Sequence, residues 1–526
     1  MKIKRILLTA GVASAMLLAG CGNGGGSGRT YSEEYDATIW VSEVDGMDTL
    51  TQNQIKKFQD LYDIKINATI EKQSESNAAT KMIQSVANGA DIFCFAQDQM
   101  MRLVKAGALS QIVGQAAQAI KDGNDADSVA AVTTSDGKVY AYPMTSDNGY
   151  FLYYDKSIVQ ESSVGDFFKI LKDCEDNDKT FSMENDTSGW YFASWFFGTG
   201  CVSEWTTNED GDFTDVNDTF KSEEGLAAAK AYYRFSQSKA YLSSSDGGDF
   251  SKGSGALISG TWAYPTVKAA LGTNMGVAEL PSFTQDGETY HMGSFKGCKL
   301  MGVKPQANAK KAVALNKLAT YLTSKDCQLE RFAAVGWGPS NKEALQNETV
   351  KADPVLNAVF AQSEYATVQG QIHGSWWGLA TTLATSIKNS DGTDDAIKAA
   401  LQTYDDSEQS LFSLDKNAWL LVGVWNGWDN ADSSMLATKV DDTTYSVDVT
   451  VPDDADYKGG RFVHPGEWGT NAGGTIVDTD SQQYLDMEKS TSGDNNLVFL
   501  AGGTYAITLT VDASNNPVSI HIELGQ

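Results

Sequence analysis

Cysteine, histidine and basic side chains are scarce in this chain of 526 residues, which has 6 Cys, 4 His and 40 Lys and Arg against 68 Asp and Glu. The formal charge of −28 repels nucleic acid and anionic membrane surfaces, so neither is expected as a partner of the body, and a neutral ligand fits. His291, His373, His464 and His521 are scattered, and no cysteine belongs to a CxxC pair. A metal centre needs such ligands clustered, so neither metal nor cofactor is expected. Apart from Cys21 there are Cys94, Cys174, Cys201, Cys298 and Cys327, an odd number, which leaves at least one thiol without an intrachain partner. Lone cysteines most often serve as small buried hydrophobes, with a Cys174–Cys201 bridge left open. Catalytic signatures such as G-x-S-x-G and HExxH are missing, as is an eight-fold strand–helix repeat. No apolar run after residue 18 is long enough to span a bilayer.

The apolar run that does exist, residues 6–18, follows Lys2, Lys4 and Arg5 and is too short to cross a membrane, which needs about 20 residues. This is the pattern of a secretory signal peptide. It ends in Leu18-Ala19-Gly20-Cys21, which resembles a bacterial lipobox. The resemblance implies cleavage before Cys21, a lipid on that cysteine, and attachment to the outer face of the cell membrane, as in Gram-positive lipoproteins. The other reading is an ordinary signal peptide with a chance cysteine. Residues 1–21 are therefore set aside as signal and lipobox. Residues 22–36 open with GNGGGSGRT and read as a flexible tether.

The body divides near residues 405–416. Before it, strand patterns at 37–41, 64–70 and 91–95 alternate with helical patterns through Ile55, Phe58 and Leu61 and at 76–88. That alternation predicts a parallel sheet covered by helices. Further helices are expected at 310–324, 353–362 and 394–404; Asp353 followed by Pro354 is a good helix start. Residues 417–526 carry only strand patterns, at 419–424, 445–451, 496–499, 504–511 and 517–523, separated by Gly, Asn and Asp clusters. These predict a small antiparallel sandwich. The acidic, turn-rich stretch TTNEDGDFTDVND (206–218) lacks calcium-loop spacing and reads as a solvated insertion.

Four stretches of the first region carry a family resemblance. They are ATIWVSEVDGMDTLTQNQIKKFQDLYDIKI (37–66), GADIFCFAQDQMMRLVKAGALSQI (89–112), KVYAYPMTSDNGYFLYYDKSIV (138–159) and GALISGTWAYPTVKAALGTNMGVAELPSF (255–283). In this order they resemble the extracellular solute-binding proteins of ABC sugar importers, of the maltose and maltodextrin type. The resemblance implies a type II α/β two-lobe periplasmic-binding-protein fold over residues 37–411. It further implies a sugar in the cleft, hinge closure, and chain crossings near 145–149, 296–299 and 345–350.

A neutral sugar presents an apolar face, which flat rings cover, and a rim of hydroxyls, which carboxylates and amides receive. By resemblance, Trp262 in Gly260-Thr-Trp is a cleft tryptophan. Trp376 and Trp377 match an aromatic floor, with Gly378 where a tyrosine is common. Trp190 and Tyr191 fall among cleft aromatics. Phe95 and Asp98 follow the third strand, with Gln99 in place of a common arginine. Asp147 matches a cleft carboxylate, and Glu43 and Asp45 lie in the first strand–helix loop. Each has a second reading, as core for the rings and as cap or solvated acid for the carboxylates.

Residues 417–526 resemble the starch-binding sandwiches appended to amylases and starch-uptake lipoproteins, through WLLVGVWNGWD (419–429), YKGGRF (457–462), WGTN (468–471) and Gly473-Gly474. Trp425, Trp428 and Trp468 are the platforms this implies, with Lys458, Arg461 and Asn471 bonding hydroxyls. Asn426-Gly427 supplies a turn that would leave one of the first two rings exposed. The sequence therefore reads as a lipid-anchored binding protein, not an enzyme, that delivers maltooligosaccharides or related α-glucans to ABC permease subunits. A starch-sequestering surface adhesin, or a glycoside hydrolase with a binding module, would be the alternatives.

Overall fold

The computed structural model describes residues 30–208, 213–412, 414–430, 432–466 and 470–525. The signal, the lipobox with Cys21, and Trp468 lie outside the described residues.

The first lobe is built on a five-stranded sheet in the order Ile64–Lys72, Glu33–Val41, Ile92–Ala96, Lys299–Val303, Tyr142–Pro143. The first three strands run parallel, with Ile39 level with both Ile70 and Ile92. Lys299–Val303 runs against its neighbours. Ala37, Ile39 and Val41 are buried at every second position, as a strand against one helix layer requires. The strand starts at Glu33, so the last four residues of the expected tether belong to the sheet. The helix Met47–Tyr62 buries Thr51, Gln54, Ile55 and Phe58, one stripe at three- and four-residue spacing.

The second lobe has its own five-stranded sheet, ordered Met275–Ala278, Phe151–Asp155, Ser254–Ser259, Thr180–Ser182, Tyr241–Leu242. All six residues of Ser254–Ser259 are buried, the mark of a strand covered on both faces. The chain crosses between lobes after Tyr142–Pro143, between Ser294–Lys296 and Lys299–Val303, and between the helices Lys342–Leu345 and Pro354–Gln362. Helices Trp376–Lys388 and Asp394–Ser410 then pack on the second lobe. Asp353 caps Pro354–Gln362 by accepting from the Val355 and Leu356 amides, as its Asp-Pro start predicts.

The terminal module is a sandwich of two four-stranded sheets. Tyr445, Val447, Val449 and Val451 point inward from Thr444–Val451 and meet Ile507, Leu509 and Ile520. One central strand, Gly459–Val463, escapes the hydropathy pattern because it opens with two glycines. A ring lies on each of them: a Cβ at Gly459 would fall 2.3 Å from Tyr457 and one at Gly460 2.2 Å from Trp425. The described residues of the acidic stretch 206–218 belong to a hairpin, Ser203–Thr207 with Phe213–Asp218, that exposes Glu204, Thr206, Thr214, Asp215 and Asn217 to solvent, while Trp205 stacks on His373 at 5.6 Å.

The module packs directly on the first lobe. Leu420, Val422, Trp428 and Val463 enclose Ile83 in one apolar cluster, and Asn496 Nδ2 donates to the Gln84 carbonyl at 2.6 Å. Cys94, Cys174, Cys201, Cys298 and Cys327 are all buried free thiols, with no Cys174–Cys201 bridge. Burial pushes each of them above the usual thiol range, which leaves them unreactive packing groups.

Candidate functional site

A groove of about 840 Å³ opens between the lobes. Ser42, Glu43, Asp98 and Gln99 line it from the first lobe, and Trp190, Tyr191, Trp262 and Trp377 from the second. Asn148, Lys299 and Gln369, on or beside the crossings, form its back.

Local geometry explains why these rings are available. The Trp262 ring folds back over Gly260, where a Cβ would sit 2.1 Å from it. Trp190 stands 5.8 Å from Trp262 at 43° and donates Nε1–H to Gln369 Oε1 at 2.9 Å. Trp377 is the second residue of the helix Trp376–Lys388, whose buried stripe is Trp376, Ala380, Leu383, Ala384 and Ile387. The residue after Trp376 is turned about 100° away from that stripe, into the groove. A Cβ at Gly378 would meet nothing within 4 Å, so the groove is open beside Trp377.

Of the ten groove residues expected from sequence, Trp262, Trp377, Trp190, Tyr191, Asp98 and Glu43 come together. Four do not. Trp376 is fully buried and donates Nε1–H to the Tyr404 hydroxyl at 2.7 Å. Phe95 is buried against Phe93, because its strand is covered on both faces. Asp45 is exposed beside Lys72 at 3.3 Å. Asp147 lies beneath the groove, where it accepts from Thr261 Oγ1 and from the Gly338 amide, each at 2.7 Å.

Sequence reasoning missed Lys299, whose Nζ is 3.7 Å from Asp147 Oδ1 and sits over the rings of Trp262 at 4.9 Å and Trp337 at 4.8 Å. This buried cation fixes the Trp262 ring from behind. Its signal was available: a single charge in the otherwise apolar strand Lys299–Val303.

Asp98 is a buried acceptor in the groove, as is Glu75 Oε1, which is buried without a donor. Gln99 donates to Asp98 Oδ2, and Asp98 Oδ1 has no protein donor. Burial, the largest influence, pushes the carboxyl up to about 6, with Gln99 and the Arg102 charge pulling the other way. Below pH 6 Asp98 takes up a proton and loses its charged acceptor, so affinity for a hydroxylated ligand should fall several-fold between about pH 7 and 5. Titration calorimetry across that range checks this. Asp98→Asn should flatten the profile, and a wild-type profile that is already flat would contradict it.

Beneath Trp376, the Tyr404 hydroxyl donates to Asp218 Oδ2 at 2.8 Å and lies 3.1 Å from Glu408 Oε1. Burial and then the Asp218 charge push the Glu408 carboxyl well above its ordinary value of 4.5, so it stays protonated at neutral pH. The unfolded chain releases this proton first as pH rises, so stability drains away above pH 4.5. The steepest slope is about 1.4 kcal/mol per pH unit. Glu408→Gln should remove this loss, giving a higher Tm than the parent at pH 8 and a similar one at pH 4.5. A lower Tm at pH 8 would show that the carboxyl is needed as such.

Of the second expected site, Trp468 lies outside the described residues, and two of the other members are turned into the fold. Trp428 is fully buried against the first lobe, and Arg461 is buried beside it, its guanidinium 5.7 Å from the Trp428 ring and donating to the Asp494 carbonyl at 3.0 Å. Trp425 lies on Gly423 and Gly460 and donates Nε1–H to the Leu421 carbonyl at 3.2 Å. Lys458 bonds the Ala455 carbonyl, and Asn471 pairs across the sheet with Val463.

Two α/β lobes, their crossings and an aromatic groove between them define a hinged solute-binding protein. Among the described residues no helix is long and apolar enough to cross a membrane, and no cluster of three or more metal-ligating side chains occurs. The chain belongs to the bacterial extracellular solute-binding protein family, whose model matches residues 53–358. It is similar to the maltotriose-binding protein of Pyrococcus abyssi (strain GE5 / Orsay), with 22% identity over 357 residues, 64% of this chain and 74% of that one. It is also similar to a solved structure determined with acarbose, at 28% identity and a TM-score of 0.64, covering 72% of this chain and 100% of that one. A maltodextrin-binding protein of L. casei BL23 without ligand is similar at 23% identity and a TM-score of 0.60, covering 71% and 98%. The two lobes therefore have the fold of maltodextrin-binding proteins.

Proposed function

We propose that this protein captures maltooligosaccharides or related α-glucans outside the cell, in the groove between its lobes, and passes them to the permease subunits of an ABC importer. The observation that carries this reading is the convergence of Trp190, Trp262 and Trp377 on one wall, facing Asp98 and Glu43 on the other. Rings can lie on the apolar faces of pyranose units while the acids receive their hydroxyls. The names of the relatives support the ligand class: one binds maltotriose, one maltodextrin, and one was solved with acarbose.

Calorimetry of the full chain with maltotriose should give a one-to-one complex, with no release of glucose or maltose on prolonged incubation. No binding would overturn the reading, and hydrolysis would point instead to a glycoside hydrolase. Preference for insoluble starch over maltotriose would favour a sequestering adhesin.

The lipid anchor on Cys21 is part of the same proposal, supported by the Leu-Ala-Gly-Cys motif. A Cys21→Ser chain should be recovered mainly from the medium and the parent from the membrane fraction. Equal partition of the two would remove the anchor from the account.

A further inference from the structure

The terminal module brings a carboxylate, that of Asp429, to a small cavity beside the groove, where Asp98 and Arg102 of the first lobe approach the segment His373–Gly374. Ser375 Oγ donates to Asp429 Oδ2, and Ser375 immediately precedes the helix that carries Trp377 into the groove. Ser375 makes no side-chain bond to its own helix, so within the fold this hydroxyl serves the module. The approach is close: a Cβ on Gly374 would lie 3.7 Å from the Asp429 carboxylate.

On the first-lobe side, Arg102 lines the same small cavity as Asp429. Its Nη2 reaches the Trp428 carbonyl at 3.5 Å and its Nη1 donates to Gln99 Oε1 at 2.7 Å. Gln99 in turn donates to Asp98. Asp98 lines both the groove and the cavity of about 120 Å³ into which Asp429 and His373 also project. One loop of the module is thus connected to Asp98 on one wall and to Trp377 on the other.

We propose that Asp429 is a positioning residue for the groove: held between Arg102 of the first lobe and Ser375 of the second, it fixes the spacing of Asp98 and Trp377. This inference rests on the groove being the oligosaccharide site. The physical reason is preorganisation. Besides the module, the lobes are joined by chain crossings that can bend and by the bonds that tie Gln369 and Gln371 to Gln97 and Met101, and a ligand held from both walls needs them within about 0.5 Å of the productive spacing. Without the clamp the lobes sample a wider range of separations, the competent fraction falls, and the apparent Kd rises in proportion. The terminal sandwich then serves the groove as a brace rather than as a second sugar site.

The test uses the full chain with maltotriose as probe. Parent, Ser375→Ala, Asp429→Ala, the double variant and Trp377→Ala are compared by calorimetry. Spin labels on cysteines placed at the exposed positions Lys57 and Lys239, one on each lobe, in a Cys21→Ser background, report the lobe-to-lobe distance; the five thiols among the described residues are buried. Ser375→Ala and Asp429→Ala should each raise Kd about fivefold, and the double variant should be no weaker than either alone, as expected for partners in one contact. Each should broaden the distance distribution of the unliganded protein.

An unchanged Kd and distribution in both single variants, with binding lost in Trp377→Ala, overturns the clamp and leaves the groove reading intact. Parent-like binding in Trp377→Ala overturns the groove reading and the clamp with it. A lowered Tm with an unmoved distribution makes Asp429 a purely structural contact, which also overturns the proposal. If Asp429→Ala fails to fold, Ser375→Ala decides alone, because it removes the same bond and no helix-capping bond.

Discussion

Alanine at both Trp262 and Trp377 should weaken maltotriose binding by about 100-fold, with a lowered Tm but a folded protein. Each ring is only partly buried in the second-lobe core and shows the rest of its surface to the groove. Covering about 60 Å² of apolar surface per ring is worth about 1.5 kcal/mol at 25 cal/mol per Å². Two rings give about 3 kcal/mol, or two decades in Kd. The Trp262 variant also exposes Lys299, which loses the ring beside it but keeps Asp147, so the fold should survive. Calorimetry against maltotriose checks the effect. A double variant within threefold of the parent would mean that these rings are structural.

Trp428→Ala should act in the opposite way, on stability and not on sugar affinity of the module. The ring is fully buried, clustered with Ile83 of the first lobe and covered by Arg461. Truncating a sealed tryptophan costs about 3–5 kcal/mol. The loss falls on the seam between module and first lobe, so denaturant unfolding should gain an early transition as the module leaves its seat. Starch retention by the full chain should change no more than the loss of docking explains. A variant with parental stability and lost starch retention would restore Trp428 as an exposed platform.

The architecture was legible because it rests on local periodicity. The alternation in residues 37–41 and 64–70, the Asp353-Pro354 start and the strand-only tail each state their structure within ten residues. The groove was legible in part. Trp262 among glycine and threonine was readable as a ring held at a surface. Trp376 could have been assigned to the core by counting four, seven, eight and eleven residues onward to Ala380, Leu383, Ala384 and Ile387.

Other side chains were not readable locally. Asp147 is claimed by Thr261 and Gly338, more than a hundred residues away. Trp428 is claimed by Ile83, whose contact no spacing in the tail announces. The hairpin within 203–218 was hidden by its acidic composition, since its inward groups, Trp205 and Phe213, pack on His373 from a distant loop. Long-range contacts, then, decided which aromatic residues became walls of the groove and which became core.

A crystal structure of the full chain soaked or grown with maltotriose addresses the central claim most directly. The account predicts glucosyl units lying flat on Trp262 and Trp377, with hydroxyls donating to Asp98. Maltotriose bound only on the terminal sandwich, or an empty groove at saturating ligand, would contradict it.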